Sequence, residues 1–493
     1  MSTTDTSAHL ERGLSNRHIQ LIAIGGAIGT GLFMGSGKTI NVAGPSVIFV
    51  YMIIGFMLFF VMRAMGELLL SNLEYKSFAD FAGDLLGPWA AFFTGWTYWF
   101  CWIVTGIADV VAIAYYVAFW WGDLPLWIPA LACILLLFAL NLPSVKSFGE
   151  TEFWFALIKI IAIGALIVTG LVMILTGFEN AGATASFANL VQHGGMFPTG
   201  FMGFVAGFQI AVFAFVGIEL VGTTAAETKN PEVTLPRAIN SIPIRILLFY
   251  VGALIILCAV QPWNTYSADA SPFVGMFALA GLAAAAGVVN FVVLTSAASS
   301  ANSGIYSTSR MIRGLAMEGD APRTFANLTK RKVPRNALMF SCTFLLAGVV
   351  LLYSGDSVIE AFTMVTTVAA VCFMFVWSII LASYLVYRHR RPHLHASSKF
   401  KMPGGLFMPY VVFAFFAFIL WTLTTQSDTL SALLVTPIWF LILAIGYGLV
   451  RRNPLHAKLR AAHEAKVAEE RELAAAYRSG RPLAGASNAE RNE

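Results

Sequence analysis

The sequence predicts an all-α polytopic membrane protein with twelve transmembrane helices. Three observations lead there. The 493 residues are 58% hydrophobic and only 12% charged, with a mean hydropathy of +0.74, whereas a soluble domain is about half apolar and a quarter charged. Twelve apolar runs are each about long enough to cross ~30 Å of hydrocarbon. Lys and Arg crowd alternate loops, as they do in a chain that weaves through a bilayer. This composition excludes a soluble enzyme, a secreted disulfide scaffold and a nucleic-acid binder. The formal charge of +5 is therefore a topology signal.

The runs fall at about 19–43, 45–70, 87–119, 125–142, 153–176, 203–226, 243–261, 273–306, 337–353, 358–387, 405–425 and 431–450. Those starting near 87, 273 and 358 are long and are expected to tilt or to extend beyond the bilayer. The loops 120–125, 177–202, 262–272, 354–357 and 426–430 hold no Lys or Arg. The other loops hold nearly all of it, including Arg310, Arg313, Arg323, Lys330, Arg331, Lys332 and Arg335 in one connection. Only Lys38 lies on the poor side. The rich side is expected to be cytoplasmic, so both termini are inside and the number of spans is even.

The chain divides into a polar N-terminal segment 1–18, a membrane domain 19–450 and a tail 451–493. Residues 1–18 carry Asp5 and Glu11 and do not read as a signal peptide, so the first run is retained. The tail opens on Arg451 and Arg452 and continues EAKVAEERELAAAY. It reads as a charged, partly helical cytoplasmic tail, with partner binding or regulation as the alternative. The five cysteines lie within apolar runs without CxxC spacing and read as small buried hydrophobes.

Two runs carry interruptions. Backbone that leaves the helix at mid-membrane survives only around a cavity or site. In the first run, Gly25-Gly26-Ala27-Ile28-Gly29-Thr30-Gly31 has four glycines in seven residues. These loosen the helix and let backbone approach a ligand; helix packing through the Gly25/Gly29 pair is the alternative. In the sixth, Phe213-Ala214-Phe215-Val216-Gly217-Ile218 leads to Glu219, a carboxylate costly in that position. Runs one and six stand five apart, so a five-span repeat would make them corresponding, oppositely oriented positions, a sequence pointer to a transporter site. The N–H groups of one broken end hold a carboxylate, and the carbonyls of the other hold an ammonium. Together they suit a zwitterion.

The stretches RHIQLIAIGGAIGTGLFMGSG, MRAMGELL, EFWFALIKI, FAFVGIELVGTTAAETKNPEVTLPRAIN and SANSGIYSTSRM resemble the amino acid transporter family of the amino acid–polyamine–organocation superfamily. The resemblance runs from about Asn16 to about Arg451. It implies a 5+5 inverted repeat with broken helices 1 and 6 plus two extra helices, and proton-coupled symport into a bacterium across its inner membrane by alternating access. It implies that Ile28, Gly29, Thr30 and Gly31 bind the substrate carboxylate, that the carbonyls of Phe213, Ala214 and Val216 bind the amine, and that Phe215 gates the site. As cargo it implies D-alanine, D-serine, glycine and D-cycloserine, with small L-amino acids, γ-aminobutyrate or amino acid exchange as alternatives.

Ionisable residues inside spans are functional candidates. Lys159 lies among Phe, Ile and Ala of run five, where losing water makes a lysine a candidate proton carrier. The resemblance sets it between the break in span one and span eight, with Ser299 or Ser303 as partners. The alternative is that it snorkels to the cytoplasmic surface. Asp109, mid-span three, either meets a substrate ammonium or a proton, or is a structural hydrogen-bonding group. Glu219 faces the same choice beside the broken helix. Arg63 and Glu67, four apart, are expected to form a local ion pair, and Glu227 to belong to a gate or helix end.

The cluster HRRPHLH, with His389, His393 and His395, lacks acids or cysteines and is not expected to bind metal. No catalytic set for an intramembrane enzyme and no repeated filter loop for a channel is present. A transporter remains, and no cofactor is expected. Its partners are a small zwitterionic amino acid, a proton and membrane lipids, and it is expected to work as a monomer.

Overall fold

The computed structural model of the protein describes residues 21, 28–180, 183–223, 230–268, 270–280, 283–354 and 358–479. Each of the twelve apolar runs overlaps helix. Among the described residues nine helical stretches are long and apolar enough to cross a membrane, and two shorter apolar helices accompany them. The chain is thus an all-α, multi-pass membrane protein, apart from a two-residue antiparallel pairing of Glu179–Asn180 with Ala183–Thr184.

Helices of eight residues or more are numbered in chain order. The 37-residue stretch Gly35–Ser71 holds parts of two runs. It turns at Gly44-Pro45-Ser46 into α1 (Gly35–Ala43) and α2 (Val47–Ser71). The short α3 (Phe78–Leu86) is capped by Ser77, whose hydroxyl accepts from the Ala79 N–H at 3.2 Å, and Gly87 then leads to Pro88 at the head of α4 (Pro88–Ala118). Proline fits there because the first helical N–H has no partner in any case. α5 (Trp127–Asn141) and α6 (Val145–Leu175) follow, the latter capped by Ser144. The sixth run gives α7 (Gly200–Ala211) before its interruption.

The seventh run differs from its expected 243–261. Helix begins earlier, with α8 (Pro231–Asn240), and passes through a wide π-helical turn, Ile246–Val251, into α9 (Gly252–Val260). The eighth, expected as one run over 273–306, is split into α10 (Pro272–Leu279) and α11 (Ala283–Glu318). α11 is 36 residues long, about 54 Å at 1.5 Å per residue. It continues past Tyr306 because Met311, Ile312 and Leu315 still bury themselves on one face. A hydropathy window reads the intervening Arg310 and Arg313 as an end.

The remaining helices are α12 (Arg335–Ser354), α13 (Val358–Arg390), α14 (Phe407–Thr422), α15 (Ser427–Val450) and α16 (Pro454–Arg478). α4 is central, packed against α11 and α13. The Gly200–Thr223 stretch is 94% buried over its most apolar window, against 11% for Ser427–Val450. The sixth run is therefore core, and α15 turns its apolar surface outward, toward lipid. All five cysteines are buried and free.

At the face carrying the basic loops, the expected Arg63–Glu67 pair is replaced by other partners. Arg63 donates to Asn240 Oδ1 at 2.6 Å and to the Lys401 carbonyl, and lies over the Phe400 ring. Glu67 meets His395 Nδ1 at 2.5 Å and the Met402 N–H at 2.7 Å. Tertiary partners at hydrogen-bond distance outcompete an i,i+4 pair worth about 0.5 kcal/mol. The described part of the tail is not a detached appendage. α16 folds back on this face, where Arg391 holds Glu470 (2.6 Å), Asp84 (2.7 Å) and Tyr75 (3.0 Å), and Lys466 reaches Asp84.

Candidate functional site

The first interruption begins with Gly29 in extended conformation (φ −123°, ψ −162°), followed by one helical turn, Thr30–Phe33, and a kink at Met34 into α1. The amides that open a helical turn have no acceptor inside it, so the N–H groups of Thr30 and Gly31 are those a ligand can use. Gly25 and Gly26 lie outside the described residues. The Ile28 carbonyl accepts from Ser296 Oγ of α11 at 3.0 Å. Thr30 Oγ1 donates to Asp109 Oδ1 of α4 at 2.7 Å. Asp109 is fully buried, and its other oxygen has no hydrogen-bond partner.

The second interruption is a 3₁₀ turn, Val212–Phe215, that stops at Val216 (φ −59°, ψ 136°). Gly217 then takes φ +99°, a left-handed backbone that favours glycine. Helix resumes with the turn Leu220–Thr223. Glu219 caps this bend, its Oε2 accepting from the Gly217 N–H at 3.2 Å. Its Oε1 is buried without a hydrogen bond, and the Trp102 and Trp377 indoles turn toward it without reaching hydrogen-bond geometry. The Phe213 carbonyl accepts from Val216 N–H at 3.1 Å, and the Ala214 carbonyl accepts the Tyr250 hydroxyl at 2.9 Å. Phe215 is buried, stacked on Tyr250 with ring centroids 5.0 Å apart, and flanked by Tyr51 at 5.7 Å.

The two interruptions touch. A Cβ added to Gly31 would lie 2.6 Å from Ala214 Cα and 2.8 Å from its nitrogen. Only a residue without a side chain lets these two backbones approach so closely. Unwound backbone of opposite polarity thus meets at one place, among the buried residues Asp109, Glu219 and Phe215.

Lys159 of α6 is completely buried, which removes the snorkelling alternative. The acids whose field reaches it are Glu152 and Asp109. The expected partner Ser299 instead donates to Glu152 Oε2 at 2.7 Å. Asn302 Nδ2 donates to Glu152 Oε1 at 2.6 Å, and Asn141 of α5 donates to Asn302 Oδ1 at 2.7 Å. Ser303 is buried beside Glu152 without a hydrogen bond from its hydroxyl. The sequence reading missed Glu152 because it lies one residue before run five. The signal was present: seven residues separate it from Lys159, two turns along one helix face.

Glu227 lies outside the described residues. His395 serves Glu67, and His393 stacks near Tyr477. Among the described residues no cluster of His, Cys, Asp or Glu could hold a metal ion. On the basic face, a cavity of about 40 Å³ lined by Thr223, Ser307, Arg310 and Lys76 lies below the second interruption, where Thr223 and Ser307 hydroxyls are 3.2 Å apart. On the opposite face Lys38 meets Asp428 at 2.9 Å.

The sequence profile of the amino acid permease family matches residues 18–460. The chain is 69% identical to the D-serine/D-alanine/glycine transporter of Escherichia coli strain K12 over 439 residues, 89% of this chain and 93% of that one. It is 54% identical to the amino-acid permease AapA of Bacillus subtilis, across 90% of this chain and 96% of that one. It is 42% identical to the probable threonine/serine transporter YbxG of the same organism, across 89% and 94%. With its apolar helices and paired interruptions, the chain belongs to the amino acid permease family and is a membrane transporter of amino acids, not an enzyme.

Proposed function

We propose that the protein is a proton-coupled symporter that imports D-alanine, D-serine, glycine and D-cycloserine by alternating access. The observation that carries this reading is the contact of Gly31 with Ala214, which supports a site where the backbones of two broken helices come together. The amides at Ile28, Gly29, Thr30 and Gly31 take the carboxylate. The carbonyls of Phe213, Ala214 and Val216 take the ammonium, each retaining a second lone pair beside any bond already made. Asp109 and Glu219 add negative charge near the ammonium, and Phe215 closes over the substrate. The 69% identity to a relative named for D-serine, D-alanine and glycine supports the cargo.

Proton coupling falls to Lys159, assisted by Ser299 and Ser303 through Glu152. A lysine fully out of water holds its proton only while its acidic neighbours compensate. The proton therefore moves with the arrangement of those neighbours. In this reading twelve helices form the 5+5 inverted repeat with two extra helices, in a bacterial inner membrane. The basic face and both termini are cytoplasmic, and the monomer is the working unit.

The test is glycine uptake into proteoliposomes without sodium and with an inward proton gradient, challenged with D-alanine, D-serine, L-alanine and γ-aminobutyrate. Uptake that collapses with a protonophore and is blocked mainly by the D-amino acids is expected. Uptake indifferent to the gradient would make the protein an exchanger or facilitator. Gradient-driven uptake blocked better by L-alanine or γ-aminobutyrate would keep the mechanism and reject the cargo.

A further inference from the structure

Glu152 is a buried carboxylate to which the reading above gives only an intermediary place between two serines and Lys159. It is completely buried, and burying an ionised carboxylate costs several kcal/mol unless it is paired and hydrogen-bonded. Its surroundings meet that requirement through a chain of hydrogen bonds with a fixed direction. Asn141 Nδ2 spends one hydrogen on the Leu137 carbonyl at 2.9 Å and the other on Asn302 Oδ1 at 2.7 Å. A backbone carbonyl can only accept, so the Asn141 amide can face only one way. Asn302 must then present its Nδ2 to Glu152 Oε1, at 2.6 Å. Ser299 supplies the second donor, to Oε2 at 2.7 Å. Helices α5 and α11 together build a receptor for an anion. A protonated carboxyl would have to place its hydrogen on Oε2 and turn the Ser299 hydroxyl from donor to acceptor.

The matching cation is on Glu152's own helix. Lys159 is two turns further along α6 on the same face, about 10 Å along the axis, and helical side chains lean toward the N-terminus, where Glu152 sits. Among the described residues the groups facing this pair are few. From α4 comes Asp109, already bonded to Thr30. From α11 come Ser299, Asn302 and Ser303, none of which titrates, and Tyr306, stacked on Phe148 one turn before Glu152 with centroids 3.6 Å apart. Among the described residues Glu152 and Asp109 are the acids whose field reaches Lys159, and they differ in kind. Both Glu152 oxygens are held by donors, whereas Asp109 keeps one oxygen without a hydrogen bond at the substrate break.

We propose that Glu152 is the fixed anion that positions and compensates the Lys159 ammonium, and so sets the pH at which the carrier loads its proton. The Asn141–Asn302–Ser299 brace keeps Glu152 ionised while Asp109 responds to the substrate side. This rests on Lys159 being the coupling residue and adds what tunes it.

The experiment is gradient-driven glycine uptake as a function of external pH, normalised to glycine counterflow by the same preparation. In Glu152→Gln the anion is lost and Lys159 takes up its proton less readily. The midpoint of the pH profile should move toward acid by up to about one unit, the low end of an opposite-charge effect. Glu152→Asp, which restores the charge, should return the profile toward that of the parent. Asn302→Ala, which removes a donor but no charge, should shift it in the same direction by less and serves if Glu152→Gln does not fold. An unmoved midpoint with both uptake and counterflow reduced would make Glu152 structural and overturn the proposal. Lys159→Gln separates the two readings. If it retains gradient-driven uptake, the coupling reading fails and this one with it; if it loses that uptake while Glu152→Gln keeps the parent midpoint, only this one fails.

Discussion

Two places in this molecule set one cation among two carboxylates. At the basic face Arg391 lies between Asp84 and Glu470, and inside the bundle Lys159 faces Glu152 and Asp109. The first is closed by direct contact: Arg391 reaches both acids within 2.7 Å and also Tyr75. A guanidinium is charged at any working pH and offers a planar fork for such bonds, so this cluster is a fastener. In the second, each acid is held by neutral donors, Thr30 for Asp109 and Ser299 with Asn302 for Glu152. Its cation is a lysine, which can give up its proton once buried. The same charge count therefore gives a strap in one place and a part able to change state in the other.

The sharpest way to break this comparison is Lys159→Ala. Gradient-driven uptake is expected to fall to the level seen with a protonophore, with exchange falling less. Undiminished accumulation would reduce the lysine cluster to another fastener. Gly31→Ala should lower uptake and exchange together by about 10-fold or more, because the added methyl meets Ala214 backbone and overpacking costs roughly 1–3 kcal/mol where nothing can yield. Wild-type exchange in that variant would show that the two interruptions need not touch.

Arg391→Ala leaves Asp84 and Glu470 without their shared partner, at a local cost of about 3–5 kcal/mol. Trypsin should then cut α16 faster, while uptake changes by less than about 3-fold, on the scale of variants outside a site. A larger loss of uptake than of tail protection would mean that the strap takes part in transport. Tyr250→Phe removes the hydroxyl on the Ala214 carbonyl, a neutral hydrogen bond worth about 1 kcal/mol. A change of KM by a few-fold with little change in maximal rate is the expected result.

The smallest effect concerns pH at the strap. Burial pushes the Asp84 carboxyl up, but Lys466, Tyr75 and Arg391 outweigh it and hold it at about 2. A carboxylate with a depressed value stabilises the fold above its unfolded value of about 3.9 and loses that contribution as pH falls through the folded value. Protection of α16 from an acid-tolerant protease should therefore stay flat from pH 8 to 5 and decline only below about pH 4. A decline near pH 6 would point to a histidine such as His463 instead.

The interruptions were legible in the sequence because their signals are local. Gly29 and Gly31 sit in a glycine-rich stretch of an apolar run, and Gly217 precedes a carboxylate inside another. Lys159 and Asp109 stood out because charge is rare in such runs. What escaped was pairing. Ser299 was expected to serve Lys159 and serves Glu152; Arg63 and Glu67 were expected to serve each other and serve Asn240, Phe400, His395 and Met402. Side-chain partners come from distant helices, and only packing decides which helix faces which. The tail was legible as helix but not as a strap, since Glu470 gives no sign in sequence that it will meet Arg391.

Composition and the placement of Lys and Arg by themselves determined that this is a helical membrane protein, because a bilayer leaves the backbone few ways to satisfy its hydrogen bonds and therefore marks the sequence strongly. The glycines and buried charges determined where that rule is relaxed. Only the tertiary structure decided that Gly31 lies against Ala214, that Asn141 and Asn302 make an anion receptor around Glu152, and that Arg391 straps the tail. These depend on contacts between helices distant in sequence, where the outcome is set by close packing and hydrogen-bond direction rather than by hydropathy.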